Sequence, residues 1–267
     1  MKLKLCDAKS LDIVKTFECG QCFRWNANDK GVYTGVVGRY LAEVETVDSA
    51  VYITSDAPAE MWADYFDLAT DYAAVSADFT GEYLHECIDY GMGIRILRQD
   101  SWEALCSFII SQCNNITRIK GIVERLCEQF GDKCETNGVG YYTFPSAERL
   151  AALRPSDLSG IRAGYRAEYI IAAARAVTTG ELDLDALKTC DYREAIKTLR
   201  QIRGVGEKVA NCVVLFGLYH MEAFPIDVWM KRALKEHFPA DFDPTSLGAY
   251  AGLAQQYIFY YSRSGGK

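Results

Sequence analysis

At 267 residues, 49% of them hydrophobic, the chain can bury one large core or two modest ones. No stretch approaches the roughly 18 uninterrupted apolar residues of a membrane span, and the opening MKLKLCDAKSLDIVK lacks a secretory signal's apolar centre and cleavage site, so a membrane-free cytoplasmic protein is expected, nuclear if eukaryotic. The formal net charge of -7 speaks against a polyanionic partner, but residues 1–94 carry 7 Lys+Arg against 16 Asp+Glu whereas residues 95–267 carry 22 against 20, so the acidity belongs to the N-terminal third.

In chain order, residues 20–55 alternate β-branched and aromatic runs with turn residues, which predicts antiparallel strands, with hairpin connections at Asn26–Gly31 and at Asp48-Ser-Ala. From about Pro58 the texture turns helical, with Met61, Trp62, Tyr65, Phe66 and Ala69 expected on one face. Between Arg39 and Arg95 stand twelve acids and no Lys or Arg, a surface expected to face away from any nucleic acid. Beyond it nearly everything reads as helix: 102–113, 117–130, 146–153, 163–178, 192–201, 207–216, 228–237 and 247–261, separated by short Gly or Pro breaks, with a frayed tail over 262–267. The expected architecture is α+β: a small N-terminal twisted antiparallel β-sheet domain over residues 1–82, then a helical domain over 83–267. The ten cysteines of a chain with no export signal are expected to be free thiols. Cys19-Gly-Gln-Cys22 has no second pair or histidine cluster to complete a zinc site.

The most informative segment runs from Leu199 to Val214. One helix stops at Ile202, Gly204-Val205-Gly206 turns the chain, and a second helix begins near Glu207, giving a helix-hairpin-helix over about 192–216. Glycines at 204 and 206 permit positive φ and leave backbone N–H groups uncovered beside a helix N-terminus, which suits a phosphate backbone. A plain tight turn between helices is the alternative. Lys208 sits in the first turn of the second helix, where the dipole and partial burial disfavour the ammonium form and favour a nucleophilic amine; alone, it also reads as a solvated lysine. Asp227, in Phe224-Pro-Ile-Asp-Val-Trp229, opens the next helix and reads at least as an N-cap.

Together Lys208, Asp227 and the hairpin resemble the helix-hairpin-helix DNA glycosylase superfamily. Phe17–Trp25, Tyr65–Leu68, Leu97–Asp100, Ser107–Arg118, Gly164–Ala167 and Ala251–Phe259 resemble, in order, the blocks of its 8-oxoguanine DNA glycosylase branch. The resemblance implies a bifunctional glycosylase and lyase acting as a monomer on double-stranded DNA that holds 8-oxoguanine opposite cytosine, and on formamidopyrimidine-guanine, through a lysine Schiff base. By the same resemblance Lys208 attacks C1′ and Asp227 stabilises the sugar cation. The Gly20 carbonyl accepts the N–H at N7, Gln255 reads the Watson–Crick edge, and Cys212 and Phe259 sandwich the base with Trp229 nearby. Asn115, Arg118, Tyr165 and Arg166 engage the orphaned cytosine, with Tyr165 as the wedge, and Gly204, Val205 and Gly206 hold the DNA backbone. Gln255 and Phe259, four apart, share a helix face independently of the resemblance.

Cys113 stands where the family has the first Asn of an N-N-N run, and Trp229 where it has a histidine. The endonuclease III branch carries four cysteines after its catalytic aspartate, whereas the last cysteine here is Cys212, so no iron–sulfur cluster is expected. No catalytic metal and no cofactor are implied, with a structural monovalent or divalent ion at the hairpin as the one candidate. A non-catalytic helix-hairpin-helix module is the remaining reading, against which Lys208 and Asp227 stand together.

Overall fold

The computed structural model describes residues 1–265. Five strands, β1 (Lys2–Asp7), β2 (Asn26–Ala27), β3 (Tyr33–Val37), β4 (Tyr40–Val47) and β5 (Ala50–Ser55), form one antiparallel sheet in the order β1-β5-β4-β3-β2. The first short helix, α1 (Ile13–Glu18), follows β1, and β5 leads into α2 (Ala59–Tyr65), α3 (Tyr72–Ala77) and α4 (Glu82–Gly91). Next come α5 (Ser101–Ser111) and α6 (Ile116–Phe130), a hairpin of β6 (Lys133–Thr136) and β7 (Val139–Tyr142), then α7 (Ala147–Ala151) and α8 (Arg166–Thr178). The chain closes with α9 (Leu184–Leu187), α10 (Tyr192–Leu199), α11 (Glu207–Phe216), α12 (Val228–His237) and α13 (Ala251–Ser264).

The α+β order read from the sequence is therefore the order of the fold, with several local corrections. β1 and α1 precede the region read as strands, and α3, α4 and α9 were not individually foreseen. The β6–β7 hairpin interrupts the stretch expected to be all helix. Its signal was present: Asn137 (φ 52°) and Gly138 (φ 78°) form the two-residue turn with positive φ at both positions that joins twisted strands well. Helix α5 stops two residues before Cys113, which adopts φ 52° and cannot continue it. A short stretch of tighter helix at Pro244–Tyr250 takes the place of the expected start of α13, another at Pro155–Ile161 lies between α7 and α8, and α8 begins at Arg166 rather than at residue 163. Ala69 lies exposed beyond α2, off the buried face of Trp62, Tyr65 and Phe66. Ser262–Ser264, expected to fray, complete α13, while Gly266 and Lys267 lie outside the described residues.

Two apolar cores result. The smaller packs on the sheet around Phe17, Trp25, Trp62 and Phe66, with Phe17 and Trp25 stacked at 4.4 Å. The larger lies among the helices and takes in Tyr72 and Phe79 from the N-terminal side, while Leu97 returns to the smaller core. Arg95 ties the halves: its guanidinium spends four of its five donors on the carbonyls of Phe66 (2.8 Å), Thr70 (2.8 Å), Ser10 (3.1 Å) and Asp67, which would otherwise be left bare. Among the described residues no helix is long and apolar enough to cross a membrane.

Candidate active site

Gly20 owes its position to the residue after it. Gln21 is fully buried; its amide donates to the carbonyls of Thr16 (3.0 Å) and Arg95 (2.8 Å) and accepts from Leu97 N–H (2.9 Å), so the Gly20 turn is pinned to the segment joining the two cores. Gly20 adopts φ 82°, a backbone state that side chains resist, and α13 packs Phe259 against it. Arg263, from the end of α13, donates to the Glu18 carbonyl and lies over the Phe259 ring at 5.5 Å, strapping the C-terminal helix to this turn.

On the opposite side, Gly206 ends the hairpin in extended conformation and begins α11 without a side-chain cap. Only Gly204 of the two glycines uses positive φ (88°), and it does so where a Cβ would come within 2.1 Å of the Tyr169 ring. Val205 is buried beneath them. Lys208, in the first turn of α11, is partly buried, with its amine 5.6 Å from the centre of the Phe108 ring. One turn on, Cys212 is buried; burial pushes its thiol up, and the neighbouring Lys208 amine pulls against that shift.

Asp227 caps α12 with one oxygen, Oδ1, accepting from Trp229 and Met230 N–H at 2.9 Å each. Its other oxygen makes no hydrogen bond or ion pair among the described residues, so the carboxylate is fixed in direction with half its acceptor capacity unspent. A single recess brings Asp227 together with Gly20, Lys208, Cys212, Gln255 and Phe259, drawn from both ends of the chain. Cys19, Phe108, Phe216, Pro225 and Gln256 complete its lining and were not singled out from the sequence, where apolar or amide residues carry no mark of a site. Its open space is about 40 Å³, little more than the roughly 30 Å³ share of one water in the liquid. A purine needs more room than this, and Phe259 and Lys208, both partly exposed, are lining side chains that can swing aside to give it.

Trp229 is a correction to the expected pocket. Two residues past the cap, about 200° around the helix from Asp227, it lines the neighbouring groove of α4, α12 and α13 with Tyr83, Arg232 and Tyr261 instead of the recess. The residues expected opposite the orphaned base divide. Tyr165 is 52% exposed, Arg118 is exposed, and Asn115 caps α6 by accepting from Arg118 N–H (2.9 Å). Arg166 differs: it is buried, donating from Nε to the Gln112 carbonyl (2.8 Å) and from Nη1 to that of Ala163 (3.1 Å), beneath the Tyr165 ring at 4.4 Å. The reason is local: the end of α5 leaves the Gln112 carbonyl without a helical donor, and Arg166 supplies one. Cys19 and Cys22 are buried free thiols, burial pushing the former up to about 11.

Comparison with known proteins gives the following. A model described as the 8-oxoguanine DNA glycosylase N-terminal domain matches residues 4–105, and one described as HhH-GPD superfamily base excision DNA repair protein matches residues 106–252. The chain is 29% identical over 279 residues to the N-glycosylase/DNA lyase OGG1 of Arabidopsis thaliana, covering 93% of this chain and 76% of that protein. The structure of MBOgg1 in complex with a low affinity DNA ligand is similar with a TM-score of 0.92 at 38% identity, over 100% of this chain and 96% of that one. The 8-oxoguanine glycosylase/lyase of Clostridium acetobutylicum, in complex with double-stranded DNA containing cytosine opposite 8-oxoguanine, is similar with a TM-score of 0.90 at 34% identity, over 100% of this chain and 99% of that one.

Proposed function

The chain belongs to the HhH-GPD superfamily of base excision DNA repair proteins and carries the 8-oxoguanine DNA glycosylase N-terminal domain, and on that premise we propose that it excises 8-oxoguanine opposite cytosine and then cleaves the abasic strand. The observation that carries this reading is the convergence of a partly buried amine, a half-committed carboxylate and the Gly20 turn on one recess. Extruding a base costs a few kcal/mol of stacking and pairing. The exposed Tyr165 is suited to refill part of the stack, and Arg118 to meet the partner base.

In the first step the Lys208 nitrogen, as free amine, forms a bond to C1′ while the C1′–N9 bond breaks and its electron pair leaves with the base, which takes up a proton. Positive charge grows on the sugar as that bond stretches, and the spare oxygen of Asp227 stabilises it. Loss of a proton from nitrogen and opening of the sugar ring give the imine. Removal of a C2′ proton then expels the 3′ phosphate, breaking the strand. Formamidopyrimidine-guanine is the second substrate: it keeps guanine's Watson–Crick edge and an N–H where the Gly20 carbonyl accepts one. The protein acts as a monomer on duplex DNA, with a phosphate received by the Gly206 N–H and the first amides of α11; the Val205 N–H, also expected to hold the backbone, is buried and already donates to the Ile202 carbonyl. A hairpin ion would have to share the Ile202 and Gly204 carbonyls, which already accept from Val205 N–H (3.0 Å) and Gln112 Nε2 (3.0 Å), and no step is routed through one.

Borohydride trapping tests the reading. The unmodified protein should become covalently linked to a duplex holding 8-oxoguanine opposite cytosine, and Lys208→Gln should bind that duplex without linking, releasing base or nicking. Base release by Lys208→Gln at a comparable rate would remove Lys208 from the mechanism.

A further inference from the structure

Gln256 is 3% exposed, lines the recess beside Gln255, and has a buried Oε1 with no hydrogen-bond partner. A buried acceptor left bare costs about 1–3 kcal/mol, so buried polar atoms in folded proteins are nearly always paired. The rest of this amide is paired: Gln256 Nε2 donates to Gln255 Oε1 at 2.9 Å. That bond also settles what Gln255 offers. With its oxygen occupied, Gln255 presents its Nε2 as a donor, and Gln256 presents Oε1 as an acceptor next to it. Turning both amides over would exchange the residues but still leave one donor and one acceptor side by side.

We propose that Gln256 is a second specificity-determining contact to the extruded base, accepting its N1–H while Gln255 donates to O6. The pair then matches the edge of a guanine, whose carbonyl and ring N–H lie adjacent, and mismatches that of an adenine, which shows an amino donor and a bare ring nitrogen in the reverse order. Undamaged guanine shows the same edge, so Gln256 selects the base type and leaves recognition of the oxidation to the Gly20 carbonyl. Formamidopyrimidine-guanine passes both tests. The bare acceptor in the unliganded protein is the stability given up for this selectivity.

The inference rests on the glycosylase reading above, and the experiment separates the two. In the Lys208→Gln protein, affinities are measured for duplexes holding, opposite cytosine, 8-oxoguanine, 8-oxoadenine, guanine or a tetrahydrofuran abasic analogue. Preference for 8-oxoguanine over guanine tests the reading; its absence overturns both. With that preference in hand, adding Gln256→Met should weaken 8-oxoguanine binding by about five- to a hundredfold. The ratio of 8-oxoguanine to 8-oxoadenine should shrink by a similar factor, while the 8-oxoguanine-to-guanine ratio and abasic binding hold. The melting temperature should stay level, because the bare Gln256 Oε1 is exchanged for the Gln255 Oε1 that loses its donor; a purely structural glutamine would lower it. Gln256→Glu is the second variant: burial favours its protonated form, which keeps both an acceptor and a donor, so its 8-oxoguanine affinity should fall as pH rises and the carboxyl ionises. Unchanged base selectivity in Gln256→Met, or parallel weakening of all four duplexes by both variants, overturns the inference and leaves the glycosylase reading standing.

Discussion

One oxygen of Asp227 is held by the amides of Trp229 and Met230, and the other is left to the recess. Asparagine caps helices about as well as aspartate, so Asp227→Asn separates the two uses of the side chain. The expected outcome is a thermal unfolding curve close to the unmodified protein's and single-turnover excision slowed about 100- to 1,000-fold, the scale set by losing one preorganised electrostatic contact. Near-normal excision by a folded Asn variant would leave Asp227 a capping residue only. Lys208 and Asp227 could be read from sequence because each stands at a marked place, the one after Gly-Val-Gly and the other after Pro-Ile. Gln256 carries no such mark: beside Gln255 on a helix it reads as solvated, and only burial shows that its oxygen lacks a partner. The burial of Arg166 was hidden for the same reason, since the carbonyl it satisfies belongs to a helix end 54 residues away in the chain.

The hairpin shows how two glycines two residues apart in one motif do different work. Gly204 needs both its φ of 88° and its missing Cβ, because the Tyr169 ring fills the space a methyl would occupy. Gly206 has ordinary φ, and a Cβ there would meet nothing within 4 Å. Gly204→Ala should therefore destabilise the fold by about 1–3 kcal/mol for overpacking with about 1–2 kcal/mol more for the left-handed backbone, read by chemical denaturation. Gly206→Ala should leave stability nearly unchanged and weaken binding to any duplex, damaged or not, because the methyl stands where a phosphate would approach the first amides of α11. Normal duplex affinity in Gly206→Ala would take the hairpin out of the DNA contact. The helices bounded by glycine or a capping acid, α11 and α12, were legible to the residue. Those whose ends depend on tertiary contacts were not: α13 runs on to Ser264 because Arg263 finds the Glu18 carbonyl across the recess, a partner 245 residues away.

At the scale of the molecule, charge and shape point the DNA to one side. The groove beside Trp229 sets Glu82, Glu86 and Glu236 against Arg232 and Arg263 and so offers a polyanion no net attraction, whereas the exposed Arg118 stands in the first turn of α6 and the exposed Tyr165 just before α8. On the function proposed above, Arg118 is the exposed guanidinium for the partner base, while Arg166, buried beneath the Tyr165 ring, donates to the Gln112 carbonyl. Cytosine offers O2 and N3 acceptors to a guanidinium, while adenine shows a different edge and leaves buried donors unpaired, a loss of about 1–3 kcal/mol per contact. Excision of 8-oxoguanine should therefore be about five- to a hundredfold faster opposite cytosine than opposite adenine. Arg118→Met should shrink that ratio while leaving affinity for the damaged base itself largely intact, because its contact is to the other strand. On the same reading Cys113, exposed with φ 52°, supplies no amide to fill the vacated position, and the expected ratio lies toward the lower end of that range. Single-turnover rates on four duplexes differing only in the opposite base, for the unmodified protein and for Arg118→Met, decide the matter. Equal rates on all four by the unmodified protein would mean that Arg118 holds a phosphate and reads no base.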